Sequence, residues 1–168
     1  MSFALRYRPP TGPVDTAAGS GEDALYELAD AGAFAVLSVE EYTLELHGTC
    51  LVELVHACRG LLEALSTGAT AAGDDAVERE LPALPPGAHV HSWLFACFLT
   101  RLPVLVFASA GGTTWVFTRT LEESEAMPLV VLPGRDRESP ASLPTKHLVA
   151  EVEAFLAAVL ASCPALGG

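Results

Sequence analysis

The chain has 168 residues, 51% of them hydrophobic and 18% charged, a balance that disfavours disorder and suits one domain with its own core. Nine basic against 21 acidic side chains leave a net charge of −12. That excess excludes a surface built to displace counterions from nucleic acid, and equally one drawn to anionic lipid.

Phe3 to Arg8 alternates apolar and polar residues, so a first strand is expected there, ended by Pro9-Pro10. Ser20 is placed to cap a short helix over 22–31, with Gly32 closing it. From Phe34 to His47 the chain is rich in Phe, Val, Tyr, Thr and Leu and reads as two strands with a break near Glu40-Glu41. In the second of them Tyr42, Leu44 and Leu46 fall on one face, and Thr43, Glu45 and His47 on the other.

After Gly48 the period changes. Leu51, Leu54, Val55, Cys58, Leu61, Leu62 and Leu65 recur at helical spacing, with Glu53, His56, Gly60 and Glu63 opposite, which predicts a long amphipathic helix over 49–67. Thr49 is the expected N-cap and Gly68 the expected stop. Gly60 costs about 1 kcal/mol relative to alanine in a helix interior, which points to a close neighbour at that position.

A strand is expected over Ala76 to Leu81, halted by the three prolines of 82–87. His89 to Thr100 is apolar on both faces and predicts a central strand. Val104 to Ala108 and Thr113 to Thr118 form two more around the turn Ser109-Ala110-Gly111-Gly112, and Leu129 to Leu132 a last short one. A second long amphipathic helix follows over 145–163, its stripe formed by Leu148, Val152, Phe155, Leu156, Val159, Leu160 and Cys163. Strands and helices do not alternate one for one. The expected fold is therefore α+β: a mostly antiparallel sheet of about six to eight strands, the helices 49–67 and 145–163 packed on it, the short helix 22–31, and a single domain over 1–168.

The chemistry-bearing residues are few. Neither a Walker-type phosphate loop nor a dinucleotide-binding glycine fingerprint is present, and Lys146 is the single lysine. Ser109 lacks the preceding glycine and the following helix that a nucleophile elbow needs. His56 and Cys58, two apart on a helix, point about 200° away from each other and form no nucleophile–base couple. His89-Val90-His91 is the most suggestive spot, because residues two apart on a strand share a face and two imidazoles can reach one ion. Cys97 lies about 20 Å further along that strand, so a third ligand has to come from elsewhere, with His47 and Cys50 as candidates. Four cysteines without a C-x-x-C pair, no leader-like apolar segment and no apolar run long enough for a bilayer fit reduced thiols in a cytoplasmic protein.

Acidic residues are the feature in excess. They cluster at Glu40-Glu41, at Asp74-Asp75 with Glu78 and Glu80, and at Glu122-Glu123 with Glu125. A charge this large on so small a body steers basic partners to it. The expected function is a small cytoplasmic protein-binding module without catalysis or cofactor, of the kind that toxin-immunity proteins and secretion chaperones exemplify, for a basic protein partner. Asp74, Asp75, Glu78 and Glu80 are its first candidate contacts. The alternative is a small enzyme or metal-dependent protein using His89 and His91. A homo-oligomer that buries an apolar face is the third option.

Overall fold

The computed structural model describes residues 2–14, 20–39, 42–67, 89–93, 103–122, 125–126 and 142–167. The expected strands at 76–81 and 129–132, and the 94–100 part of 89–100, lie outside them. The chain divides into two compact units: Ser2–Arg59 with Val149–Gly168, and Gly60–Leu148 together with Met1. The architecture is α+β. Among the described residues eight strands form two antiparallel sheets, where one sheet of six to eight strands is expected from sequence.

The first unit opens with strand β1 (Phe3–Arg8), helix α1 (Gly21–Asp30), and strands β2 (Phe34–Val39) and β3 (Tyr42–His47). The three strands pair in the order β1-β2-β3, and continuous register joins Leu5 to Leu37 and Leu37 to Leu44. Phe3, Leu5, Ala35, Leu37 and Leu46 lie on the buried face, while Thr43, Glu45 and His47 are exposed. Period-two alternation in the sequence thus decides which face enters the core.

Ser20 caps α1 as expected. Its hydroxyl accepts from the Asp23 N–H at 3.3 Å and the Asp23 carboxylate accepts from the Ser20 N–H at 2.9 Å, a reciprocal capping box. Gly32 follows at φ +97°, a conformation that favours glycine.

Helix α2 (Thr49–Thr67) starts where the period changes, but its cap differs from expectation. The Gly48 carbonyl accepts from the N–H groups of Leu51 and Val52 at 3.0 and 3.4 Å, so Gly48, at φ +57°, occupies the capping position and Thr49 is already helical. The stripe is confirmed at Leu51, Leu54, Val55, Cys58 and Leu61, all buried. Among the described residues Gly60 has no close neighbour: a Cβ built there meets nothing within 4 Å.

Helix α3 (Thr145–Ser162) buries Leu148, Val152, Phe155 and Val159, with Cys163 buried just beyond its end. Leu160, assigned to the stripe by periodicity, is instead 39% exposed. A turn of 3-10 helix, Pro164–Gly167, follows and touches α1. Within this first unit, the Glu151 carboxylate of α3 accepts from the Leu5 N–H at 3.3 Å and from Arg6 Nη1 at 2.7 Å. It thereby covers part of the outer edge of β1 and blunts an otherwise open strand.

The second unit holds β4 (His89–Trp93), β5 (Pro103–Ala110), β6 (Thr113–Glu122), β7 (Glu125–Ala126) and β8 (Ser142–Pro144). The order is β4-β5-β6-β7, and β8 pairs with β6. β7 and β8 are not expected from sequence. β4 is expected to be central, yet among the described residues it pairs with β5 alone. β5 takes the inner place instead: Phe107, Ala108 and Ser109 are buried in succession, so both faces of the strand are covered there. The cause is the hairpin. Ala110 pairs with Thr113 across Gly111 and Gly112, at φ +57° and +81°, and two consecutive positive φ values match the twist of the flanking strands.

Candidate functional site

The acidic cluster singled out from sequence, Asp74, Asp75, Glu78 and Glu80, lies outside the described residues. His89 and His91 stand two apart on β4, in register with Ser109 and Phe107 of β5. Of the proposed third ligands, Cys50 is buried in the first unit. His47 in that unit stacks on Phe34 with ring centroids 4.4 Å apart and lies 3.1 Å from the Glu45 carboxylate. Among the described residues no group of three or more His, Cys, Asp or Glu is arranged to hold a metal ion.

Ser109 is buried, and its Oγ lies 2.8 Å from Thr114 Oγ1, which lies 2.8 Å from Thr145 Oγ1. Three hydroxyls in a row satisfy one another, and the Thr145 N–H donates to the Gly112 carbonyl at 2.9 Å. This chain pins the start of α3 to the β5–β6 hairpin. It accounts for the serine as a structural group.

Among the described residues the thiols are closed off. Cys50, Cys58 and Cys163 are buried, and burial pushes the Cys58 thiol far above its ordinary range, so it carries little thiolate character. Burial likewise raises the Tyr7 phenol; the Ser162 hydroxyl beside it opposes that shift and Cys163 adds to it. Lys146 is exposed in the first turn of α3.

A surface that the sequence clusters do not single out stands on α1. Ala24, Leu25, Leu28 and Ala29 are buried, while Glu22, Asp23, Tyr26, Glu27 and Asp30 are exposed. At about 100° per residue these five side chains fill one arc of roughly 140°, four carboxylates around one tyrosine. Tyr26 is 42% exposed, one of two large apolar side chains so open among the described residues. The last turn of α1 carries no basic residue. Asp30 there faces the negative end of the helix dipole, a small cost in stability that nothing on α1 offsets. His56 of α2 reaches one end of the face, 4.0 Å from the Glu22 carboxylate. The capping box holds the Asp23 carboxyl below its ordinary value, chiefly through the Ser20 N–H and then the Ser20 hydroxyl. The signal was present in the sequence: once the apolar stripe of α1 is removed, only acids and Tyr26 remain between 22 and 30.

No helix among the described residues is long and apolar enough to cross a membrane. Compared with known proteins, the chain matches no protein family, no curated protein and no solved structure.

Proposed function

We propose that this protein is an acidic binding module, without catalysis of its own, that engages a basic protein partner in the cytoplasm in the manner of a toxin-immunity protein or secretion chaperone. The observation that carries the reading is the outward arc of α1. Its carboxylates supply long-range attraction for Lys and Arg, and Tyr26 at its centre offers an amphipathic anchor of the type enriched in binding hot spots. An Arg side chain could stack on the ring while pairing with the flanking acids. Asp74, Asp75, Glu78 and Glu80, outside the described residues, are the second candidate acidic contact.

The test is affinity capture followed by titration of the identified partner at low and high salt. A partner of net positive charge is expected, with affinity falling as salt rises. Tyr26→Ala should weaken binding by about tenfold or more, and Glu27→Gln with Asp30→Asn should flatten the salt dependence. Neutralising Asp74, Asp75, Glu78 and Glu80 in parallel tells the two faces apart. An acidic or neutral partner, or full affinity after both sets of changes, would refute the reading.

The alternative reading, a small enzyme or metal-dependent protein, rests on His89 and His91 opposite the buried positions Ser109 and Phe107. Stoichiometric metal in untagged protein would favour it.

A further inference from the structure

Helix α1 opens on a glycine that neither propensity nor backbone conformation calls for. Glycine loses more freedom than any other residue on entering a helix, and Gly21 is not among the described glycines at positive φ. Its reason is a close approach. A Cβ built on Gly21 meets the Ala165 carbonyl oxygen at 3.1 Å, the Leu166 Cα at 3.4 Å and the Leu166 Cδ2 at 3.5 Å. The 3-10 turn Pro164–Gly167 therefore lies directly against the N-terminal end of α1. Two hydrogen bonds hold it there. Arg59 Nη2 of α2 donates to the Leu166 carbonyl at 2.9 Å, and the Leu166 N–H donates at 3.1 Å to the carbonyl of Cys163, a fully buried residue. Gly21, Arg59 and Pro164–Gly167 all belong to the first unit.

We propose that Pro164–Gly167 is a clasp that orders the first turn of α1, so that closure of the clasp and order at that end of the acidic face are one equilibrium. Only the consequence rests on the reading of α1 as a binding face: a face ordered before its partner arrives binds more tightly, because the ordering cost is not charged to the encounter. The clasp then tunes affinity from off the contact surface. Gly167 supplies the comparison. A Cβ built there meets Leu160 Cδ1 at 3.2 Å, the far end of a side chain that is 39% exposed and can turn aside. The oxygen facing Gly21 is backbone and yields only if the whole turn moves.

Amide hydrogen exchange of the intact chain, followed residue by residue, reads both sides of the clasp with no partner present, so its outcome stands apart from whether α1 binds one. The probes are Leu166 and Ala24, whose N–H donates to the Ser20 carbonyl at 3.1 Å as the first bond of α1. On helix propensity alone, Gly21→Ala should slow exchange at Ala24. The clasp reverses the sign: the added methyl displaces the turn, and exchange at both Leu166 and Ala24 should quicken by about tenfold or more. Gly167→Ala should change neither by more than about two- to threefold. Arg59→Met keeps the length of the side chain and removes the donor, so it should quicken both amides together by about two- to tenfold, and Arg59→Lys should restore most of the protection. Should Gly21→Ala fail to fold, the Arg59 pair still decides. Slower exchange at Ala24 in Gly21→Ala, or a Leu166 amide that loosens while Ala24 keeps its protection, would overturn the proposal.

Discussion

Replacing Thr114 by valine removes the middle hydroxyl of the Ser109–Thr114–Thr145 chain while keeping the branched shape at a fully buried site. The cost can be worked through. Ser109, 7% exposed, is left with a hydroxyl that water scarcely reaches, a penalty of about 1–3 kcal/mol. Thr145 is only half-buried and can turn to solvent, so its share is small. The methyl that replaces the hydroxyl returns about 0.8 kcal/mol through burial. The net expectation is a loss of about 0.2–2 kcal/mol. The sharper expectation concerns coupling. In Ser109→Ala with Thr114→Val both hydroxyls are gone, so the double variant should be more stable than the summed single losses imply, by about 1 kcal/mol. Urea unfolding followed by tryptophan fluorescence measures this in the right place, since both tryptophans, Trp93 and Trp115, belong to the unit spanning 60–148. Additivity within about 0.3 kcal/mol would show that the three hydroxyls do not act as a chain, and the structural account of Ser109 would fail.

Two further changes test the local readings. Ser20→Ala removes the cap of α1 and should destabilise by about 0.5–2 kcal/mol in thermal unfolding. Because the Asp23 carboxyl is held below its ordinary 3.8, its contribution is present above that value and is lost as pH falls through the lower, folded-state value; Asp23→Asn should erase that acid dependence of α1 helicity in circular dichroism. Gly60→Ala places a methyl at an exposed helical site that no described residue approaches and should stabilise by up to about 1 kcal/mol, seen as a higher melting temperature; a loss would mean a neighbour does stand there.

Local patterning settled much of this protein. Alternation in Phe3–Arg8 and Tyr42–His47 specified strands and their buried face, because a strand presents a new side every residue. Ser20 and Asp23 specified the start of α1, and Gly111-Gly112 the hairpin, because capping and positive φ are chemistry of a few adjacent residues. Periodicity alone could not tell that Leu160 faces outward: a helix stripe wider than its neighbour's contact leaves its margin uncovered. Nor could it divide the strands between two sheets, put β5 rather than β4 inside, or bring Thr145 to Thr114, since pairing partners far apart in sequence are chosen by packing. The candidate surfaces follow the same rule. The acids of α1 were readable one by one, but that they surround an exposed Tyr26, and that Glu151 covers β1, are consequences of tertiary contacts.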